Sequence, residues 1–582
     1  MKHTFGAALG ISTRPNNRTP FANTIGGGCG AIPSTDRSSD QKAHLAVNIT
    51  SFLDHWNLAE NPFRDEEALH DAVFRRLQTG ATVHPDFEKI LGDLNAPATS
   101  IVFGEKGSGK TAIRLQLTDR IKQHNARSGT TKVFLVPYDE LNPILDRFAE
   151  RVGLPTGADQ RDAVKQLSKF RLTDHMDAML HVSTASIVDA ALDAPARFDT
   201  PSTVDDADLK MLKRSPAGTR HDMLLLAAMF DKAPLAGDRM RGLRRRLGVS
   251  LGSNRWMWRL FVALGWLPAA AVIYLYLQHG DPDARNLWLW GFGAAFLLYL
   301  AILAKYFLWD RIVEQSLARK VARHLRVTPR GPNAMAEAFA QLPKPLLKAG
   351  NLPMSEHDET RYELFGRLWR VLSAMNYHAA VVLVDRVDEP ALINGDGERM
   401  RAIVWPLMNN KFLQMPHFAV KALLPVELRH ELFRESAAFF QGARLDKQNL
   451  VERLSWTGPM LYDLCNARLN ACRQDAADPR TARDDQHDAD LVAGEGAAER
   501  HGPLSLASLF ADDVSRQDIV DALDQMHQPR DAFKLIYQCI AEHCSNVTEE
   551  QADWRIPRLT LDTVRKQQSD RVQMFYRGIR PA

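Results

Sequence analysis

The sequence predicts an α/β protein whose core is a parallel sheet flanked by helices. Three observations lead to this prediction. The apolar run at residues 100–103 ends in a glycine-rich loop and is followed by a helical pattern. A second apolar run, at residues 380–384, ends in a group of carboxylates. The rest of the chain is mostly amphipathic and helical, as expected of helices that cover the faces of a parallel sheet.

Length, composition and charge are those of a large globular protein. The chain has 582 residues, of which 45% are hydrophobic and 25% charged, and this length is enough for about three or four domains. The formal net charge of +3 is too small to indicate nucleic acid, so a nucleic-acid partner stays open without support. The cysteines are scattered and form no CxxC pair, so neither a zinc site nor a disulfide framework is indicated.

The first part of the chain divides into a leader and the first part of the core. Residues 1–46 are rich in glycine, serine, threonine, asparagine and proline, and we predict a disordered leader there. A secretory signal is the alternative, but the apolar run near the start is short and has no clear cleavage site. Residues 47–140 are predicted to form the first part of the core, with helices at 66–77 and 106–123 and a strand at 133–136.

A predicted helical insertion at residues 141–255 leads into two apolar runs that predict a transmembrane hairpin at residues 256–309. Residues 260–277 and 287–304 contain no charged side chain, and each run is near the lower length limit for a membrane-spanning helix. Basic residues flank the outer ends of the hairpin, and tryptophans and tyrosines cluster near the ends of the runs. The positive-inside rule therefore places both termini in the cytoplasm. A hairpin buried in a soluble core is the alternative.

The rest of the chain alternates between core and helical segments. Residues 310–377 are predicted to be helical, and residues 378–430 to form the second part of the core. That second part contains the strand at 380–384 and a further strand at 418–424. The remaining segments are a predicted helical lid at 431–472, a linker at 473–503 and a C-terminal helical domain at 504–582.

Residues 104–111 carry the strongest motif in the sequence, Gly-Glu-Lys-Gly-Ser-Gly-Lys-Thr. Its spacing matches a phosphate-binding loop, in which glycines let backbone N–H groups surround phosphates and the following helix adds the positive end of its dipole. Lys110 would reach the β- and γ-phosphates of a nucleotide, and the Thr111 hydroxyl would ligate Mg²⁺. The predicted nucleotide-binding residues are Gly104, Glu105, Lys106, Gly107, Ser108, Gly109, Lys110 and Thr111.

A phosphate-binding loop needs a carboxylate to hold the magnesium, and residues 385–389 (Asp-Arg-Val-Asp-Glu) supply it. Asp385 directly follows an apolar run, at the strand end where parallel sheets bind ligands, so we predict that it holds Mg²⁺. Asp388 or Glu389 would polarise the attacking water as general base. We favour Glu389, although the spacing does not decide between the two. Lys110, Asp388 and Glu389 are therefore the predicted catalytic residues.

These residues resemble the Walker A and Walker B motifs of P-loop NTPases. The acidic pair after Asp385 is similar to that of the additional-strand division, which includes AAA+, STAND and KAP ATPases. A transmembrane hairpin between the two motifs also resembles the KAP family, whose bacterial members include proteins that exclude phage. The resemblance implies a P-loop NTPase fold with ATP and Mg²⁺ as cofactors. ATP is preferred over GTP because no Asn-Lys-x-Asp guanine motif stands in a suitable place.

The resemblance also implies sensor residues that the sequence does not locate. One would lie in the strand after Walker B, around residues 421–427. Arg453 and Arg468 fall in the predicted lid, where a sensor arginine is expected, but a solvated or salt-bridged helix face is the preferred interpretation of both. Arg386 is a candidate for contact with a neighbouring subunit.

We therefore expect a membrane-anchored ATPase that acts as an ATP-driven conformational switch. We hypothesise a role in bacterial signalling or in phage defence, of which the defence role is implied by the resemblance alone. We expect two spans in the inner membrane, and self-association or an unidentified protein partner. The arginine run at 244–246 favours inner-membrane lipid over DNA because it precedes an apolar run. The alternatives are a nucleotide-binding membrane scaffold with little turnover, and a soluble DNA-processing ATPase whose apolar hairpin is buried.

Overall fold

The computed structural model describes most of the chain. The predicted leader, residues 1–46, lies outside the described residues, and so does the predicted linker apart from its two end residues. Described are residues 48–77, 83–127, 131–154, 160–194, 204–251, 253–279, 285–348, 350, 352–473, 503–547 and 553–576.

Within this part of the chain, the strands form one five-stranded sheet in which every pairing is parallel. In chain order the strands are β1 (Ser100–Gly104), β2 (Lys132–Tyr138), β3 (Tyr377–Val384), β4 (Phe418–Pro425) and β5 (Asn449–Val451). Across the sheet they lie in the order β2-β3-β4-β1-β5, so β4 separates β1 from β3. The four longer strands are buried along nearly their whole length, as expected when helices cover both faces. The predicted α/β fold with a parallel sheet flanked by helices is confirmed.

The helix predicted at residues 66–77 is shorter in the structure. Residues 66–71 form loops and turns, and the helix begins at Ala72. The Asp71 carboxylate accepts a hydrogen bond from the backbone N–H of Phe74 at 3.0 Å, which satisfies a free donor in the first turn. The first helices are α1 (Ile49–His55), α2 (Ala72–Leu77) and α3 (Phe87–Leu91).

Two further local predictions were wrong in detail. The helix predicted at 106–123 is α4 (Lys110–Arg127), and it begins later because Gly107 and Gly109 hold positive φ angles that an α-helix does not allow. The predicted lid, residues 431–472, is not wholly helical because it contains β5. That strand has three residues and pairs with β1, so no periodicity in its own sequence could have shown it.

The predicted helical insertion packs on one face of the sheet. Its most buried members are two helices whose apolar side chains join those of β2, β3 and β4 in one large core. The insertion helices are α5 (Asn142–Val152), α6 (Gln160–Leu167), α7 (Leu172–Ala191), α8 (Asp206–Arg214), α9 (Ala217–Phe230) and α10 (Ala236–Arg246).

Two helices of the predicted hairpin are long and apolar enough to cross a membrane. They span Met257–His279 and Arg285–His324, and only 6% and 0% of their apolar windows are buried inside the protein. The hairpin is therefore not a buried core of this chain. Its parts are α11 (Ser253–Leu264), α12 (Leu267–His279), α13 (Arg285–Ala304), a π-helical turn (Lys305–Trp309) and α14 (Asp310–His324).

Buried ion pairs attach the segment after α14 to the helical insertion. The Arg326 Nε lies 2.7 Å from an oxygen of Asp174 in α7, and the Arg330 guanidinium lies 3.0 Å from Asp231. Arg330 and Asp231 are both 0% exposed, and removing one partner of such a pair leaves an uncompensated buried charge. The end of the second apolar helix is therefore held firmly against the core.

The remaining helices cover the other parts of the sheet and form a second core. The C-terminal helices pack against α1 and the helix that follows β5, and these elements share one hydrophobic cluster. The remaining helices are α15 (Pro332–Phe339), α16 (Asp358–Ser373), α17 (Gly397–Val404), α18 (Asn410–Leu413), α19 (Val426–Phe433), α20 (Ala437–Ala443), α21 (Gly458–Ala471), α22 (Arg516–Asp524), α23 (Pro529–Asn546) and α24 (Arg558–Tyr576).

Candidate functional site

The glycine-rich loop lies between β1 and α4, at the carboxyl end of β1. Gly107 and Gly109 have φ angles of +101° and +94°, a region that residues with a Cβ rarely adopt. A Cβ at Gly104 would lie 2.5 Å from the Ser108 hydroxyl oxygen, so a side chain there would collide with the loop itself. The glycines therefore allow the tight backbone turn, next to a helix N-terminus, that an anion-binding loop requires.

Lys110 is the first residue of α4, and its ammonium group lies over the loop. Its Nζ donates hydrogen bonds to the carbonyl oxygens of Gly104 and Glu105, at 2.8 and 2.9 Å. Burial lowers the pKa of Lys110, and nearby carboxylates oppose that shift. In order of their effect these carboxylates belong to Asp388, Asp385 and Glu427.

The carboxyl ends of β1, β3 and β4 meet at one edge of the sheet, and Asp385 is the buried acid at that edge. It directly follows β3, and its side chain is 2% exposed. The Oδ2 atom is buried and accepts no hydrogen bond among the described residues. Burial raises the pKa of Asp385, while the Arg114 guanidinium opposes the shift. An ionised carboxylate in this position needs a cation nearby.

An ion pair that the sequence analysis missed connects the phosphate-loop helix with two strand ends. Arg114 of α4 pairs with Asp139, which directly follows β2, and its Nε lies 3.4 Å from Asp385 Oδ2. Arg114 and Asp139 are 3% and 8% exposed. A buried charge requires such partners. The sequence signal for this ion pair was an arginine, Arg114, three residues after Thr111 on the same helix.

The two candidate general bases stand in different environments. Asp388 is half-buried and is the carboxylate with the largest effect on the Lys110 pKa. Glu389 is 60% exposed, and its Oε2 lies 3.7 Å from the Arg386 Nε. Arg386 has a φ of +56°, so the chain turns sharply directly after Asp385. After this turn, the Asp388 carboxylate raises the pKa of Lys110 more than the Glu389 carboxylate does.

The C-terminal domain and the segment after β5 cover the loop from the other side. Glu105 accepts hydrogen bonds from Arg453 at 2.7 Å and from the Gln528 amide at 2.5 Å. The Trp456 indole donates to the Ser108 carbonyl at 2.9 Å. A Cβ at Gly107 would lie 2.8 Å from the Gln528 side-chain oxygen. The loop is thus in direct contact with segments that come after all five strands in the sequence.

These elements enclose a cleft of about 550 Å³, a size common among small-molecule sites. The loop, Thr111 and the acids after β3 form one wall, and the α2 region and the C-terminal helices form the other. Apolar and aromatic side chains also line the cleft. They include Leu69, Phe74, Leu77, Trp456, Leu464 and Phe533.

Arg530, at the start of α23, is a second cation in the cleft that the sequence analysis missed. Its charge is among the influences that lower the pKa of Lys110. Its Nε is buried and makes no hydrogen bond among the described residues, and it lies 3.9 Å from the Glu66 Oε2. No local motif marks this arginine, because only the docking of the C-terminal domain places it here.

The two arginines considered as sensors have different roles in the structure. Arg468 is 2% exposed, and its guanidinium lies 2.6 Å from Asp71, so it joins α21 to the start of α2. This agrees with the salt-bridged interpretation, although the residue is buried rather than on an exposed face. Arg453 is 53% exposed and pairs with Glu105 of the loop.

The region around 421–427, where a sensor residue was expected, divides between two ends of the sheet. The buried Lys421 ammonium donates to the carbonyl oxygens of Ile90, Leu91 and Ala98. Lys421 pairs with Ser100 at the beginning of β1, so it lies away from the loop and serves the packing of α3. Glu427, in the first turn of α19, is the member of the region whose charge acts on Lys110.

The acids in the cleft do not form a ready-made metal cage. Among the described residues, no group of three or more histidine, cysteine, aspartate or glutamate side chains could hold a metal ion. Mg²⁺ is commonly bound by one or two protein ligands together with substrate phosphates and water, so Asp385 and Thr111 fit that ligand type.

Comparisons with known proteins add no family to this picture. No family model matches the chain, and neither the search of curated proteins nor the search of solved structures finds a match. The proposed function therefore rests on the fold and the cleft.

Proposed function

We propose that this protein is a membrane-anchored P-loop ATPase of the additional-strand division, with a KAP-like hairpin between its two nucleotide motifs. One observation carries the proposal. The glycine-rich loop and the buried Asp385 lie at the same edge of a parallel sheet and line the same cleft. The position of β4 between β1 and β3 supports the additional-strand assignment.

The residues of the loop have the positions needed to hold the phosphates of ATP. The backbone of residues 104–109 and the first turn of α4 provide N–H groups, and Lys110 provides a positive charge. Thr111 and Asp385 would hold Mg²⁺, which supplies charge neutralisation on the phosphates when bound. The buried Asp385 Oδ2, which has no hydrogen-bond donor in the described part of the chain, fits this role. The apolar and aromatic side chains of the lining are suited to contact the base.

Asp388 is the better placed general base of the two candidates. A base must face the reacting phosphate group, and Asp388 is the half-buried carboxylate that acts most strongly on Lys110. Glu389 is more exposed and lies beside Arg386. We therefore assign the proton-accepting role to Asp388 and a supporting role in the turn to Glu389.

Arg530 is proposed to bind the terminal phosphates from the C-terminal domain. Replacing Arg530 by alanine is expected to weaken ATP binding or turnover by about tenfold to a hundredfold, because a hydrogen bond to a charged group contributes about 1.5–3 kcal/mol. Steady-state kinetics of the full-length protein with ATP measure this effect.

The control for Arg530 is Lys534→Gln. Lys534 lies one turn further along α23 and pairs with the same Glu66, at 3.0 Å, but does not line the cleft. Equal losses in Arg530→Ala and Lys534→Gln would mean that Arg530 only docks the C-terminal domain, and the assigned role would be wrong.

The two apolar helices are proposed to cross the inner membrane, with both termini in the cytoplasm. Their side chains are almost unburied in the protein, and an apolar surface of this size is not stable in water. The protein is expected to stay in the membrane pellet after carbonate extraction and to be released by detergent. Release by carbonate alone would overturn the membrane assignment and support a soluble ATPase.

ATP would act on the rest of the molecule through the contacts that cover the loop. Gln528 and Arg453 both bind Glu105, so a change in the loop reaches the C-terminal domain directly. Nucleotide-dependent ordering of loops is a common switching device. This arrangement supports an ATP-driven conformational switch rather than a metabolic enzyme.

A further inference from the structure

A buried arginine stands between two strand-end carboxylates behind the proposed nucleotide cleft. Arg114 pairs with Asp139, and its Nε lies 3.4 Å from the Asp385 Oδ2. Asp385 lines the cleft, whereas Arg114 and Asp139 lie behind its lining. Asp385 is therefore the member of this charged group that can meet a ligand in the cleft.

The register of the sheet places the two carboxylates side by side. Tyr138 ends β2, Val384 ends β3, and these two residues are direct partners in the parallel pairing. Asp139 and Asp385 each follow one of the partners, so both leave the sheet at the same edge. Neighbouring strands lie only about 4.8 Å apart. One guanidinium can therefore reach both carboxylates.

The helix after the glycine-rich loop brings the guanidinium to this edge. Residues three apart lie on one face of an α-helix, so Arg114 shares a face of α4 with Thr111, the other proposed metal ligand. The Arg114 side chain is 3% exposed, and a buried charge of this kind needs carboxylates to compensate it. Arg114 and a metal ion held by Asp385 would therefore compete for the same carboxylate.

Arg114 is not shared equally between the two carboxylates. It forms a direct ion pair with Asp139. Its contact with Asp385 is longer, and the buried Asp385 Oδ2 accepts no hydrogen bond among the described residues. This oxygen has a cation nearby to compensate its charge, and it keeps the lone pairs that a hard metal ion needs.

The segment that carries Asp139 is fixed on both sides. Before it, the buried Tyr138 hydroxyl is hydrogen-bonded to the His175 Nδ1 of α7 at 2.8 Å. After it, the Asn142 side-chain oxygen accepts a hydrogen bond from the Ala391 N–H at 3.0 Å, which joins the segment to the turn after β3. The Asp139 carboxylate thus offers a fixed position at which the guanidinium is retained.

We propose that Asp139 is a positioning residue for the metal site, which retains the Arg114 guanidinium and thereby leaves the Asp385 carboxylate open to Mg²⁺. This proposal rests on the proposed function, in which Asp385 and Thr111 hold Mg²⁺ beside a bound nucleotide. Without the Asp139 carboxylate, the guanidinium would turn to Asp385, and two cations would compete for one carboxylate. Mg²⁺ would then bind less tightly, whereas the nucleotide alone would keep its contacts.

The test compares how strongly Mg²⁺ tightens nucleotide binding in wild type and in Asp139→Asn. The affinity of detergent-solubilised full-length protein for a fluorescent ADP analogue is measured with Mg²⁺ and with EDTA, and the ratio of the two affinities is the readout. The ratio should fall by about tenfold or more in Asp139→Asn, because a hydrogen bond to a charged group changes an equilibrium roughly tenfold to hundredfold. The affinity in EDTA should not fall, since the substitution removes no phosphate-binding group.

The double variant Asp139→Asn with Arg114→Gln identifies the competing cation. It should recover most of the ratio, because the cation that turns to Asp385 is absent. Removing one partner of a buried pair is far more destabilising than replacing both, so the double variant also serves if Asp139→Asn alone does not fold. A ratio that stays low in the double variant would mean that Asp139 acts on the metal directly, and it would overturn the proposal.

Asp208→Asn is the matched control for a general loss of packing. Asp208 is also buried, and it pairs with Lys132 at 2.8 Å at the beginning of β2, the opposite end of the strand from Asp139. Its substitution also leaves a cation without its buried carboxylate, so stability should fall while the ratio stays at the wild-type value. An equal decrease of the ratio in Asp208→Asn would overturn the positioning role.

The outcomes separate this proposal from the proposed function. A wild type with the same affinity in Mg²⁺ and in EDTA would remove the metal role of Asp385 and the positioning role together. Tightening by Mg²⁺ that persists unchanged in Asp139→Asn would overturn the positioning role alone and leave the ATPase proposal intact. A ratio that falls in Asp139→Asn and recovers in the double variant would support the proposal.

Discussion

Lys110→Ala is expected to lower kcat/KM for ATP by about 10²- to 10³-fold, the loss typical of removing one preorganised charge-stabilising group. Lys110 is the first residue of α4, and its ammonium lies over the glycine-rich loop, bonded to the Gly104 and Glu105 carbonyl oxygens. Alanine keeps the helix but removes the positive charge from the place where phosphates would bind. Phosphate release by the detergent-solubilised protein measures the effect.

Arg120→Ala is the control for Lys110→Ala. Arg120 belongs to the same helix, α4, but its side chain is exposed and does not line the cleft. Turnover should therefore stay within about threefold of wild type, since surface substitutions away from special features usually change free energies by no more than about 0.5 kcal/mol. Equal activity in wild type and Lys110→Ala would contradict the ATPase proposal. ATP binding without turnover in the wild type would favour the membrane scaffold.

Asp388→Asn is expected to reduce kcat by about 10²- to 10⁴-fold, the contribution typical of general acid–base catalysis. Glu389→Gln should reduce kcat by less than about tenfold, because a partly exposed ion pair such as that with Arg386 contributes about 1 kcal/mol or less. The two substitutions remove one charge each from neighbouring positions and are close in shape to the originals. Single-turnover hydrolysis of ATP separates the chemical step from binding.

A larger loss in Glu389→Gln than in Asp388→Asn would reverse the assignment. It would return the base to the residue that the sequence alone favoured.

Much of the fold could be predicted because its signals lie in contiguous residues. The apolar runs of β1, β2 and β3 are continuous, as strands buried on both faces require, and the run of β4 is interrupted by Lys421. The two apolar runs of the hairpin were long enough to identify by length and composition alone, and the structure confirms two helices of that kind. The glycine-rich loop was visible because its residues are adjacent.

The errors arose where the controlling partner is distant in the sequence. β5 exists because Ser100–Val102 of β1 offers it a backbone edge, and Asn449–Val451 carries no strand pattern of its own. Lys421 was placed in a region expected to face the nucleotide, but the direction of a side chain on a strand depends on register, and register turns it toward α3.

The residues of the candidate site also divide into those marked by a local motif and those brought together only by folding. Residues 104–111 and Asp385 were found from local motifs, because a loop that wraps phosphates and an acid at a strand end need particular residues at fixed spacing. Arg114 with Asp139 and the cleft-facing Arg530 were not found, since each depends on segments that meet only after folding. Gln528 bonds to Glu105 across 423 residues of chain.

The sequence by itself determined the chemistry that is available: a glycine-rich loop, acids at a strand end, and two apolar helices between them. Each of these depends on residues that are adjacent in the sequence, so it can be recognised without any knowledge of tertiary contacts. Only the tertiary structure decided which acids act on Lys110 and which arginine enters the cleft. These depend on burial and on distances between side chains from remote segments, and such distances are set by packing rather than by spacing along the chain.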